Sequence, residues 1–206
     1  MILSIVAIII SSIAVIISVL TFYFHFLLKA KVAIEYSNDN TNPYIVERQI
    51  DGKNYKWVRI KAYCSNNHLS VSARNLRLKM LKVERYNHEN GHWIELNPIN
   101  LFYLRWVIDN ENNVFTFQGD LTRFEPQYFN IATMISEGNK KLLYPGIPNQ
   151  GNVAGWKPEE WFKEGLFRYT IGVYGDNVRP SNNKNYEYNI TIKFKQDGKI
   201  SFYEER

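Results

Sequence analysis

The sequence predicts an all-β fold, an antiparallel immunoglobulin-like β-sandwich, preceded by one N-terminal transmembrane helix. Three observations carry that prediction. No charged side chain occurs before Lys29, which leaves a 27-residue apolar run from Ile2 to Leu28. After Lys29 the apolar residues recur at every second position, the period of a half-buried strand. Gly, Asn and Pro signals divide these stretches, and only one short helical pattern interrupts them. The chain of 206 residues therefore reads as an anchor, 1–30, and a β-sandwich domain, 31–206. The charge-free run excludes a freely soluble protein, and 15% aromatic residues with one cysteine exclude a disordered chain and a disulfide scaffold.

At 1.5 Å per residue the apolar run gives a helix of roughly 40 Å, against about 30 Å of hydrocarbon, so it spans with tilt. A secretory signal peptide is the competing reading. It needs a basic start and an apolar stretch of about 7–15 residues, and the run here has neither. Lys29 and Lys31 follow the run and nothing basic precedes it. Cations near a span stay cytoplasmic, which points the domain inward. The lone thiol of Cys64 suits a reducing compartment. The glycosylation-type triplet Asn189-Ile190-Thr191 falls inside an expected strand.

Small and polar residues inside the run keep a seven-residue period: Ser4, Ala7, Ser11, Ala14, Ser18, Thr21 and His25, with Ser12 alone outside the set. Lipid gives no hydrophobic drive to helix pairing, so small residues and interhelical hydrogen bonds supply it. The stripe predicts packing against a second copy or another membrane helix, in a left-handed crossing. Chance alignment of common residues is the alternative.

In the remainder, Val32, Ile34 and Tyr36 alternate with polar neighbours as a first strand. Val58, Ile60, Ala62 and Cys64 form a second, and Leu76, Leu78 and Met80 a third. The third then slips by one residue to Leu81 and Val83, the mark of a bulge. Asn90-Gly91 before Trp93-Ile94-Glu95-Leu96 predicts a hairpin with a type I′ turn. Later strands are Val114 to Phe117 and Tyr128 to Ile135, then a long pair. Its inward sets are Phe167, Tyr169, Ile171 and Val173, and Tyr186, Tyr188, Ile190, Ile192 and Phe194, joined by a loop from Gly175 to Lys184. Lys157-Pro158-Glu159 through Gly165 is the single helix, opened by proline and acids and closed by glycine.

Trp57-Val58-Arg59-Ile60-Lys61, Val71 to Lys79, Leu104-Arg105-Trp106 and Gly165 to Asn177 resemble recurrent stretches of a group of uncharacterised prokaryotic membrane-anchored β-sandwich proteins. The likeness covers most of residues 55–196. It implies an immunoglobulin-like domain on a membrane tether, with no assigned activity and no site residues to carry over.

His88-Glu89-Asn90-Gly91-His92 matches the H-E-x-x-H pattern of zinc proteases. That chemistry needs both histidines on one helix face, and Asn-Gly here predicts a turn instead. Cys64 with His68 suggests a thiol and base, but Cys64 shares the inward alternation of its strand and reads as core. No Gly-rich phosphate loop and no G-x-S-x-G occurs, and Glu159, Glu160 and Glu164 read as a solvated helix face. No metal, cofactor or catalytic residue is expected.

The net charge of +5 conceals a local excess. From Arg48 to Arg85 ten Lys plus Arg stand against Asp51 and Glu84, a segment of +8 in a chain otherwise −3. Arg59, Lys61, Arg77, Lys79 and Lys82 all lie on the polar side of their strands. If those strands are neighbours, the five form one basic face, with Trp57 and Tyr63 beside them. Such a face serves an anionic leaflet, an acidic protein or, less fittingly, a nucleic acid, or is simply solvated. The function expected is a membrane-displayed binding or assembly module that self-associates through its span. The alternatives are an anchored hydrolase with a site in loops such as Tyr144 to Lys157, and a nucleic-acid binder.

Overall fold

The computed structural model describes residues 2–23, 29–38, 44–65, 72–96, 102–109, 114–116, 119–122, 125–146, 164–180 and 186–203. Strands make up 64% of them. The helix α1 runs Ile2–Phe22. The strands are β1 (Ala30–Glu35), β2 (Ile45–Ile50), β3 (Lys53–Cys64), β4 (Ala73–Asn87), β5 (His92–Glu95), β6 (Phe102–Tyr103), β7 (Trp106–Asp109), β8 (Val114–Thr116), β9 (Gly119–Leu121), β10 (Gln127–Glu137), β11 (Lys140–Pro145), β12 (Gly165–Tyr174), β13 (Val178–Pro180), β14 (Glu187–Phe194) and β15 (Ile200–Tyr203).

The 21 residues of α1 give a rod of about 30 Å, the thickness of a bilayer's hydrocarbon. Its segment Ser4–Phe22 has a mean hydropathy of 2.8 and is entirely unburied, so it is long and apolar enough to cross a membrane. The stripe residues Ser4, Ala7, Ser11, Ala14, Ser18 and Thr21 lie along it, all exposed; His25 lies outside the described residues. Ser12 is turned to its own helix and donates to the Ile8 carbonyl at 2.9 Å.

Two sheets hold the strands. The first has the order β13-β1-β3-β10-β7-β8, with β11 added on β10 and β2 on β3. The second runs β15-β14-β12-β4-β5, with β6 and β9 also on β4. Pairing is antiparallel except between β1 and β13, which are parallel. Side chains from both sheets, among them Val32, Ile60, Ala62, Leu78, Ile171 and Ile192, meet in one core cluster. Within it the rings of Phe167 and Phe194 pack edge to face at 5.3 Å, a geometry that adds about 1 kcal/mol to the area they bury.

The two sheets differ in what their outer faces meet. Along β10 seven consecutive residues, Phe129 to Ile135, are buried, and on β3 Trp57, Arg59 and the inward Val58 and Ile60 are all buried. The central strands of the first sheet are therefore closed on both faces. On the second sheet Tyr103, Tyr174 and Lys193 remain exposed.

The slip expected near Leu81 is present. The β4–β12 register jumps from Lys82↔Thr170 to Met80↔Ile171, leaving Leu81 unpaired and half-buried, while Val83 returns to the core. Residues 88–91 form the expected hairpin between β4 and β5, but its turn is not type I′. The loop has four residues, Gly91 alone has positive φ (67°), and the Gly91 amide donates to the Asn87 carbonyl at 2.9 Å. A four-residue loop needs one left-handed position, which glycine fills without strain. The type I′ turn lies instead at Asp51-Gly52, between β2 and β3, where both φ values are positive (49° and 75°). Tyr186 precedes β14 and is exposed rather than inward, since its strand begins at Glu187. The loop from Gly175 holds the short β13. The helix expected from Lys157 lies outside the described residues up to Lys163, and Gly165 opens β12.

Candidate basic interface

The five cations expected on one face do not share one. The strand β3 belongs to the first sheet and β4 to the second, so their outward side chains leave from opposite sides of the common core. Arg59 is only 2% exposed. Its Nε donates to Asn130 Oδ1 at 3.0 Å and its guanidinium stands 5.6 Å from the Trp57 ring. Burial, aided by the like charge of Arg48, pushes its pKa down to about 10, so the group is charged at neutral pH but built into the fold. Alternation placed Arg59 on the polar side correctly; what it could not report is that this side of the sheet is also covered.

Lys61 is tied up as well. Its Nζ lies 2.7 Å from Glu35 Oε2, while the Tyr44 hydroxyl donates to Glu35 Oε1 at 3.0 Å. Burial alone would lower the Lys61 pKa, but the carboxylate outweighs it and holds the pKa above its ordinary value. The hydrogen bond from Lys61 in turn keeps Glu35 below the carboxylate range. Lys82 sits at the centre of β4, 2.7 Å from Glu84 Oε1 and 3.8 Å from Glu95. Glu84 also accepts from Arg168 Nε at 2.8 Å. Burial works against the Glu84 carboxylate, yet these two cations keep its pKa low.

Arg77 and Lys79 remain. Both flank the Tyr103 ring, with Arg77 Cζ and Lys79 Nζ each 5.7 Å from its centroid. Among the described residues neither has an acidic partner. The strand ladder explains their placement: Lys79 is opposite Tyr103 on one side of β4, and Arg77 is opposite Tyr174 on the other. Gly172, opposite Lys79, leaves the space over which the Tyr174 ring lies; a Cβ there would come within 2.7 Å of that ring. Arg77, Tyr103, Tyr174 and Tyr186 share a cavity of about 540 Å³ with Lys29 and the Asp176 carboxylate, which Asn75 Nδ2 holds at 2.5 Å. Three tyrosines there are well exposed, at 38, 44 and 43% for Tyr103, Tyr174 and Tyr186.

Asn177 fixes this end of the domain. It is buried, its Nδ2 donates to the Ser72 carbonyl at 2.9 Å, and its Oδ1 accepts from the Arg74 amide at 2.8 Å. Its own carbonyl accepts from the Ala30 amide at 2.7 Å. The first residue of β1 and the start of β4 are thus joined through one side chain and its backbone. The sequence marked the cations of this cluster, set Tyr186 inward in a strand, and gave no role to Tyr103 or Asn177. Tyr174 was visible at the end of an inward-outward alternation; Tyr103 and Asn177 carry no local signal.

The other motifs come apart. His88 and His92 are exposed at the two ends of the hairpin loop, and His88 rests edge-on against Tyr86 at 5.0 Å. Among the described residues no group of three His, Cys, Asp or Glu could hold a metal. Cys64 is buried and its Sγ donates to the Leu121 carbonyl at 3.3 Å; burial raises its pKa. His68, Glu159, Glu160 and the stretch 147–157 lie outside the described residues. No family model, curated protein or solved structure matches the chain.

Proposed function

We propose that this chain is a single-pass membrane protein whose helix holds an antiparallel immunoglobulin-like β-sandwich against the cytoplasmic leaflet, as a binding and assembly module without catalytic activity. The family likeness drawn from the strand motifs belongs to the same reading. One observation carries it: the unpaired cations Arg77 and Lys79, with Tyr103, Tyr174 and Tyr186, gather at the end where the chain arrives from α1. Lys29 lines that cavity and is six residues beyond Tyr23, a reach of at most about 20 Å. Tyrosines favour the headgroup level and each cation near an anionic leaflet contributes about 1 kcal/mol. Two free cations suit a lipid surface better than a nucleic-acid backbone, which takes a row of them.

The test uses the full chain in vesicles with a spin label on Tyr103→Cys. The label approaches the headgroups more closely when anionic lipid is added, and the double substitution Arg77→Gln with Lys79→Gln removes the difference. Equal label depth in neutral and anionic vesicles would overturn the leaflet contact. Orientation is read separately with Asn90→Cys, in the exposed hairpin; an impermeant thiol reagent leaves it unlabelled in intact cells, while buried Cys64 stays silent. The stripe on α1 is the surface for self-association. Leucine at both Ser11 and Ser18 abolishes dimerisation in a membrane-helix assay, and unchanged dimerisation refutes it.

A further inference from the structure

Arg85 is half-buried, and among the described residues its Nε finds no partner. On β4 it stands between Phe167 of β12 and Ile94 of β5. Its Nε is buried with no hydrogen-bond acceptor, and among the described residues it forms no ion pair. The nearest acid on the same strand, Glu84, faces the other side and is already engaged by Arg168 and Lys82. A buried charged donor left without an acceptor costs on the order of 1–3 kcal/mol, and native structures retain few of them without a use.

The Arg85 side chain also borders open space. It lines a cavity of about 380 Å³ with Tyr86, Asn87, His88, Ile94 and Leu96, and with Glu89 at its rim. That volume is in the range of small-ligand sites. One part of the lining is apolar, and Ile94 is 49% exposed there, a large aliphatic side chain open to solvent. Tyr86 is braced by edge contacts with His88 at 5.0 Å and Trp93 at 5.3 Å, and Trp93 by the Arg168 guanidinium 4.2 Å from its ring. The hairpin that carries Ile94 is therefore held by packing on its other face. Glu89 is fully outside and its amide is bound by Asn87 Oδ1 at 2.9 Å, which orients the loop.

We propose that this cavity binds a carboxylate carried on an apolar body, the carboxylate pairing with Arg85 and the body lying on Ile94 and Leu96. Arginine presents a planar fork that matches a carboxylate with two parallel hydrogen bonds, which a lone phenol or amide cannot replace. The same chemistry comes from a small organic acid or from the free C-terminus of a peptide. The latter has an added surface beside it, because β5 is the last strand of its sheet on that side. The site is eight residues along β4 from Arg77, roughly 26 Å, so it lies at the far end of the domain from Lys29. It is independent of the leaflet contact.

The experiment uses the full chain in detergent micelles, with N-acetyl-leucine as the probe, N-acetyl-leucinamide as its uncharged counterpart, and a hexapeptide ending in leucine as the third ligand. Binding is followed by thermal shift and by the fluorescence of the tryptophans, Trp93 among them. N-acetyl-leucine raises the melting temperature saturably and the amide does not. Arg85→Met folds, since it removes an unsatisfied donor, and binds about tenfold to a hundredfold more weakly. Tighter binding of the hexapeptide than of N-acetyl-leucine assigns the site to a peptide C-terminus, and equal binding assigns it to a small acid. Equal binding of acid and amide, an Arg85→Met protein that binds as well as the parent, or no response to either carboxylate overturns the proposal.

Discussion

The cations of the two sheets meet different fates. On β3 of the first sheet each is absorbed: Lys53 by Glu137, Lys56 by Glu47, Lys61 by Glu35, and Arg59 by Asn130 and the Trp57 ring. In the second, only the middle of β4 is neutralised, where Lys82 and Arg168 share Glu84. Its two ends keep their charge, at Arg77 and Lys79 on one side of that cluster and at Arg85 on the other. The same +8 of sequence charge thus serves as internal structure on one sheet and as two separate surfaces on the other. A charge count along a chain says how many cations there are, and the strand ladder says which of them an incoming ligand can reach.

The joint between the sheets gives the largest expected effect. Asn177→Ala strips partners from the Ser72 carbonyl and the Arg74 amide and should cost about 2–4 kcal/mol, read by urea unfolding of the full chain in micelles. A loss under one kcal/mol would mean the sheets are held together elsewhere.

Next comes the contrast of the two arginines. Arg59→Met leaves Asn130 Oδ1 without its donor and should destabilise by about 1–3 kcal/mol, whereas Arg85→Met should be neutral or slightly stabilising. Equal losses would dissolve the distinction between absorbed and free cations.

Alkaline pH reads the packing around Glu35 in the first sheet. Burial, with the Glu35 carboxylate beside it, pushes the Tyr44 pKa up to about 12. The folded pKa lies above the unfolded one, near 10, so this tyrosine's contribution is complete below pH ~10 and is lost as pH rises towards 12. Tyr44→Phe should flatten that part of the stability profile. The smallest effect belongs to Lys53→Gln, whose exposed, solvent-screened pair with Glu137 should leave the unfolding midpoint unchanged in the same assay.

Much of the fold was legible because alternation is a local property. It located β1, β3, β4, β10, β12 and β14, and the slip at Leu81 exposed the bulge before any partner strand was known. The same parity, followed past Val83, puts Arg85 on the inward side, so the orphan arginine was within reach of sequence reasoning. The two-residue hairpin at Asp51-Gly52 carries an Asp-Gly turn signal that the strand reading left unused, and at Gly138-Asn139 only the glycine has positive φ. Arg59 was not recoverable. Alternation says which face a residue is on, while the covering of that face depends on chain far away in sequence. The grouping of Tyr103 with Arg77 and Lys79 likewise needs the pairing of β6 with β4, which no local pattern records.

The parallel pair of β1 and β13 has a mechanical consequence. A domain tethered at Ala30 and gripped at the β4–β5 hairpin is stretched along its strands. Tension then enters β1 between two ladders, three residues against β13 and four against β3. Load along the strand direction strains all of those hydrogen bonds in shear at once, instead of peeling them one after another. The Ala30 amide, bonded to the Asn177 carbonyl, is the first link to feel the pull. If α1 anchors the chain as proposed, the entry to β1 is therefore where a pulling force would be carried.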